Sequence, residues 1–259
     1  MGIGYLILAL LIGYLAGSIS FARIITHIFA PEADIADLKI DMENGEGEEI
    51  VGIFGANASA MILGPKLGLT VAALDMLKVI VPMLIVKYTF PIDTAYLFAS
   101  IGGLLGHNWP LYHRFRGGRG FAVIFGSFLV VQWYAPLLTT LTGLFLGMVI
   151  IGNPMISYIL WLWLMIPWMV FFGTTWETVY VIATVVIFHI GTIPEMNTTF
   201  RLMRSGKYKA YVDAMYNSSP RWRGMKKMAD RLWILKPILE RRTKAGEDQS
   251  TSFDSMDGE

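Results

Sequence analysis

The sequence predicts an all-α, polytopic membrane protein with about seven transmembrane helices. Three observations carry that reading. Hydrophobic residues make up 54% of the 259 residues and charged residues only 16%, with a mean hydropathy of +0.53. A soluble domain usually carries about 25% charged residues. Apolar stretches near the length of a bilayer span, roughly 20 residues, recur along the chain. The charges collect in the gaps between those stretches. This composition also excludes disorder as the main state. The absence of cysteine excludes disulfides, thiolate zinc sites and a cysteine nucleophile.

The first apolar stretch, residues 3–25, lacks a basic start and a clear cleavage pattern, so it reads as a helix rather than a signal peptide. Residues 67–86 and 92–105 follow as the second and third. Residues 121–133 and 135–151 are divided around Gln132 and Pro136. Residues 155–172 form the sixth and 178–193 the last. The shorter stretches require tilt or local thinning of the bilayer.

Cationic residues orient the set, because they favour the cytoplasmic side. His113, Arg114, Arg116 and Arg119 lie between the third and fourth stretches, and residues 201–244 hold 13 Lys and Arg against Asp213, Asp230 and Glu240. Four helices separate the two basic segments, so both can lie inside, with the N-terminus outside. Residues 26–66 then also lie inside. That loop is acidic, but acidic residues count little in this rule. The expected address is the plasma membrane, multi-pass, with the site facing the cytoplasm.

Three regions follow: a transmembrane domain over 1–200, a basic cytoplasmic tail over 201–245, and a disordered end over 246–259. Residues 229–242 carry Leu232, Trp233, Ile234, Leu235, Ile238 and Leu239 among basic residues. They read as an amphipathic helix on an anionic membrane surface or as a solvated basic flank that serves topology.

The segment richest in chemistry is 106–120, G-H-N-W-P-L-Y-H-R-F-R-G-G-R-G. Gly117, Gly118 and Gly120 allow close backbone approach to a ligand, and successive N–H groups in such a loop can cradle an anion. If Gly120 opens the fourth helix, its N-terminal dipole favours the same charge. Arg119, with Arg116 nearby, can grip phosphate oxygens in a planar fork. The alternative is a tight inside loop carrying topology signals. His107 and Asn108 close the third helix and can donate to a ligand or a helix end.

Ser18 and Ser20 in G-S-I-S can bond a backbone carbonyl, while Gly17 suggests close helix packing. Asp75 and Lys78 share one face of an apolar helix at i,i+3, either as a functional pair or as an ion pair holding the bundle. His189, Asn197 and Arg201 can reach the same cytoplasmic mouth as the glycine loop. Glu177 falls at the opposite end and is excluded. Neither HExxH nor a P-loop occurs. These residues suit an enzyme acting on a phosphorylated lipid precursor, and equally an anion transporter or channel.

Beyond this reading, the sequence resembles the bacterial acyl-phosphate:glycerol-3-phosphate acyltransferases, the PlsY family, from about residue 6 to 209. The likeness is strongest at residues 106–122, against a family pattern close to GHxxPxFxxFxGGKGVA. It is weaker at G-S-I-S, residues 17–20, and at D-M-L-K-x-x-x-P, residues 75–82. The resemblance implies transfer of an acyl chain from acyl phosphate to the 1-hydroxyl of glycerol 3-phosphate, giving lysophosphatidate and phosphate, without cofactor or metal. The expected surroundings are membrane lipids, with no nucleic acid partner and a monomeric state.

By resemblance Gly117, Gly118, Arg119 and Gly120 bind the acyl-phosphate group, with Arg119 in place of the family's usual lysine. The candidate catalytic set is Ser18, Arg119, His189 and Asn197. Gly117, Gly118, Gly120, Arg116, His107, Asn108, Lys78 and Arg201 are the candidate binding set. The family's second motif, close to GSGNxGATNxxR, is altered over residues 45–61. Glu46 and Glu48 replace serine and asparagine, and Ala58 and Met61 replace asparagine and arginine. Asn57 and Ser59 stand as shifted substitutes. The final motif, close to HxxNIxRLxxGxE, is stretched between His189 and Arg201. These departures leave a member that binds a phosphorylated lipid or anion without acyl transfer as the second reading, and transport as the third.

Overall fold

The computed structural model describes residues 2–33, 35, 38–41, 48–50, 55–217 and 220–235. Each apolar stretch read from the sequence is mainly helical, the first across two helices. The first stretch divides into α1 (Gly2–Gly17) and α2 (Phe21–Phe29). A two-stranded antiparallel ribbon follows, β1 (Lys39–Asp41) with β2 (Glu48–Ile50), pairing Lys39 with Ile50 and Asp41 with Glu48. This ribbon is the departure from an all-α chain among the described residues. Then come α3 (Ala56–Leu63), α4 (Pro65–Thr89), α5 (Ala95–Asn108), α6 (Phe121–Val131) and α7 (Ala135–Phe145), which continues as a π-helical turn over Leu146–Ile151. The chain closes with α8 (Pro154–Phe172), α9 (Thr175–Gly191), α10 (Ile193–Arg204), α11 (Tyr208–Asn217) and α12 (Pro220–Leu232).

Among the described residues, three helical segments are long and apolar enough to cross a bilayer alone: Gly2–Phe29, Pro65–Thr89 and Pro154–Phe172. Helices α9 and α10 pass together, bent by 51°. The outer surface carries large apolar side chains, with Leu69 72% and Phe171 78% exposed, a surface suited to lipid rather than water.

Helix α5 occupies the centre and packs on α1, α4, α6 and α9. Its approach to α1 depends on missing side chains. A Cβ on Gly13 would stand 1.9 Å from the Ala99 carbonyl oxygen, and one on Gly102 would stand 2.0 Å from that of Leu10. Gly17 and Gly106 repeat the pattern four residues on. Both helices thus present glycines at i,i+4 along one seam, which lets backbones meet where lipid supplies no hydrophobic drive. The close packing expected at Gly17 is present. Helix α7 uses the same device, with Gly143 against Trp161 and Gly147 against Ser157 of α8.

Polar contacts fix the two ends. Gln132, just past α6, donates from Nε2 to the Phe172 carbonyl at 3.0 Å and accepts from Trp168 Nε1 at 3.0 Å. The ends of α6 and α8 therefore lie together, beside exposed Trp133 and Trp176. Glu177, excluded from the site, closes a capping box with Thr174 at the start of α9.

Candidate active site

The site forms where the first span breaks. Between α1 and α2, Ile19 N–H turns back to Ala16 O at 3.2 Å, and the Ile19 carbonyl accepts from Lys78 Nζ at 2.7 Å. A side chain has replaced the helical partner that the break removed, as backbone at this depth requires. The Lys78 ammonium also lies 2.8 Å from Asp75 Oδ1 and 2.9 Å from His107 Nδ1. Asp75 and Lys78 are both buried. The i,i+3 pair therefore joins the broken span, α4 and the end of α5.

His107 carries this anchoring into the glycine loop. Its carbonyl accepts from Gly118 N–H at 3.1 Å. A Cβ on Gly117 would lie 2.1 Å from the same oxygen, so the loop cannot close this tightly with a larger residue. Gly120 has φ +81 in the left-handed region and caps the N-terminus of α6. The expectation that Gly120 opens this helix is met, and the first turn of α6 directs its N–H groups at the loop. Just upstream, Arg114 and Phe115 hold φ 51 and 59, strained values for residues with side chains.

Ser18 is fully buried. Its hydroxyl donates to the Tyr14 carbonyl at 2.8 Å and accepts from Leu111 N–H at 3.2 Å. The hydroxyl thus ties the span break to the chain entering the loop. Gly55, which matches a glycine of the altered second motif, lines the same small pocket as Ser18, Lys78, His107, Gly117 and Gly118. Residues 45–47 and 51–54 of that motif lie outside the described residues. Ser59 is buried on α3, and its hydroxyl has no hydrogen-bond partner among the described residues.

Asn108 is 3% exposed, and neither amide atom has a partner among the described residues. It is wedged between Gly120 and Gly191, where added Cβ atoms would meet Oδ1 at 3.1 Å and Nδ2 at 2.7 Å. An unsatisfied buried amide is costly, and this one lies beside the start of α6.

Arg119 is engaged by Glu195. Its Nε donates to Glu195 Oε1 at 2.6 Å, and Nη2 contacts the same oxygen. The other oxygen, Oε2, is buried without a hydrogen-bond partner among the described residues. Glu195 did not figure among the candidate residues. It is the sole acid between Glu177 and Asp213, and a lone carboxylate in a basic flank was the available signal. Arg116 is exposed, and its carbonyl accepts from Arg23 Nη2 at 3.0 Å. His113, in the loop outside the spans, has its pKa lowered by partial burial and then by the charges of Arg23 and Lys78.

The final-motif residues lie elsewhere. His189 Nδ1 is 2.7 Å from the Val185 carbonyl, and its ring meets Trp163 and Phe188 edge-on. Asn197 and Arg201 line an open depression along α10 with Phe200 and Arg204. The structure therefore gathers Ser18, Lys78, His107, Asn108 and the 117–120 loop around the span break, and brings Glu195 to Arg119. It sets His189 against aromatic rings and Asn197 and Arg201 on the flank.

Comparison with known proteins bears on this arrangement. The family model of glycerol-3-phosphate acyltransferase matches residues 7–199. The chain belongs to the glycerol-3-phosphate acyltransferase family. A family protein from Thermoanaerobacter pseudethanolicus is 37% identical over 148 residues, 57% of this chain and just under two thirds (66%) of the relative. One from Lactobacillus johnsonii is 30% identical over 180 residues, 69% of this chain and 82% of the relative. The fold is similar to that of PlsY (YgiH), an integral membrane glycerol 3-phosphate acyltransferase, in its glycerol 3-phosphate form. The TM-score is 0.61 at 23% identity, covering 78% of this chain and 93% of that one. Its lysophosphatidic acid form aligns with a TM-score of 0.59. The family match ends before α11 and α12.

Proposed function

We propose that this protein is a seven-span membrane acyltransferase of phospholipid biosynthesis that moves an acyl chain from acyl phosphate to the 1-hydroxyl of glycerol 3-phosphate. The N-terminus lies outside and the site faces the cytoplasm. Family membership supports the reaction class. The observation that carries the site is the α5–α6 loop, pinned by Gly118 N–H on the His107 carbonyl, with Arg119 beside the open end of α6. The cationic segments support the sidedness. The Arg119–Glu195 pair agrees with it, since it joins the start of α6 to the chain leaving α9.

In this reading the donor phosphate sits at the glycine loop, held by the helix N-terminus, Arg119 and the Asn108 amide. The acceptor oxygen attacks the acyl carbonyl carbon, and the bond from that carbon to the phosphate oxygen breaks. Phosphate leaves with the electron pair, and the hydroxyl proton passes to a phosphate oxygen. Arg119 stabilises the charge that grows on the leaving group, and positioning supplies the rest. Lys78 and Ser18 act by holding His107 and the loop entrance. Glu195 competes with the donor phosphate for Arg119, so it must yield or share the guanidinium as the donor binds.

A second reading, anion binding without acyl transfer, is favoured by Glu46, Glu48, Ala58 and Met61 in the altered motif. One experiment separates the two. Purified protein in detergent receives palmitoyl phosphate and glycerol 3-phosphate, and phosphate and lysophosphatidate are measured together. Equal release of both, lost in Arg119→Ala, is the expected result. Donor binding with neither product would leave the second reading standing.

A further inference from the structure

We propose that α12 is an interfacial lipid-binding helix that seats on the headgroup region of an anionic bilayer beside the end of α7. The proposal concerns a segment beyond the family match and does not depend on acyl transfer.

The first observation is where the segment is tied. Trp233 Nε1 donates to the Ile150 carbonyl at 3.1 Å, and Ile234 N–H donates to the Val149 carbonyl at 3.0 Å. The Trp233 ring covers Gly152, where an added Cβ would lie 2.4 Å from it. These contacts hold the end of α12 against the terminal turn of an apolar bundle helix, hence at the bilayer boundary.

The second observation is how the faces divide. Trp222 and Ala229, seven residues apart, are buried against the protein. Arg223, Lys227 and Arg231 are exposed and recur every four residues. Beside them run Met228 (49% exposed) and Leu232 (45%), continued by Ile234 (60%). Lys226 is already neutralised by Asp213 at 2.9 Å. Asp230 is the one exposed acid on the helix.

A cationic stripe beside an apolar one, fixed at the level where a span ends, matches a surface with anionic heads above acyl chains. Each cation near such a surface strengthens attraction by about fivefold, and salt weakens it. A soluble acidic partner would satisfy the cations but would leave the apolar stripe at the membrane edge unexplained.

The chain contains no cysteine, so Met228→Cys gives one labelling site on an exposed side chain. The variant is labelled with an environment-sensitive nitrobenzoxadiazole probe. It is then reconstituted into phosphatidylcholine nanodiscs with and without phosphatidylglycerol. Thermal unfolding in detergent confirms the fold. In anionic discs the emission should shift to the blue and be quenched by lipid-borne nitroxide. Both effects should weaken in neutral discs, and in anionic discs with Arg223→Gln, Lys227→Gln and Arg231→Gln combined. Water-like emission with strong iodide quenching in both discs would overturn the proposal and leave the face to solvent or a soluble partner. A lipid-like signal indifferent to headgroup charge and to the triple variant would overturn the anionic selectivity.

Discussion

Replacing Glu195 with glutamine should tighten donor binding, and the structure sets the size. The Arg119 and Glu195 side chains are 16% and 28% exposed, so solvent weakens their attraction only in part. Hydrogen bonds to charged groups are worth about 1.5–3 kcal/mol and neutral ones about 0.5–1.5 kcal/mol. The neutral amide would still accept from the charged guanidinium, toward the lower end of the first range, so the change removes about 1–1.5 kcal/mol of competition for Arg119. That corresponds to a roughly 5–10-fold lower KM for the acyl donor, with kcat nearly unchanged. The assay is initial-rate phosphate release against palmitoyl phosphate concentration at saturating glycerol 3-phosphate. A single-turnover measurement checks that KM tracks binding. An unchanged or raised KM would refute the competition. A tenfold fall in kcat at constant KM would instead place Glu195 in the chemical step.

Three further outcomes are expected. Arg119→Ala should lower kcat/KM by about 10²–10³ while the melting temperature holds, and Arg119→Lys should restore most of the rate. Gly102→Ala should destabilise the bundle by about 1–3 kcal/mol, seen as a lower unfolding temperature in detergent, because its Cβ would stand 2.0 Å from the Leu10 carbonyl oxygen. Lys78→Met should cost about 3–5 kcal/mol by leaving Asp75 buried and unpaired. Asp75→Leu combined with Lys78→Met should recover much of that stability, and equal stability of the single and double variants would deny the pair its holding role.

Two corrections show how tertiary contacts redirect local tendencies. The segment over 229–242, read as an amphipathic helix or a solvated flank, is helical to Leu232 as the end of Pro220–Leu232 and leaves the helix over 233–235, while residues 236–242 lie outside the described residues. Apolar spacing favoured continuation past Leu232. The Ile234 N–H and the Trp233 indole are taken by carbonyls of the π-helical turn after α7 instead, which ends the helix. The first span read as one continuous helix, yet it breaks at Ser18–Ser20, and the carbonyl released there meets Lys78. No local pattern announces a partner 59 residues away.

The sequence alone determined the helical, membrane-embedded class, the position of each apolar stretch and the glycine-rich loop. These follow from side-chain transfer energies and from glycine's backbone freedom, both local properties. The family pattern at residues 106–122 pointed to the chemistry. Only the tertiary structure decided which charges meet. It set Asp75, Lys78 and His107 around the broken span, brought Glu195 to Arg119, and carried His189 away to an aromatic neighbourhood. The physical reason is that a buried charge in an apolar bundle must find its partner in space, and spacing along the chain does not encode that distance.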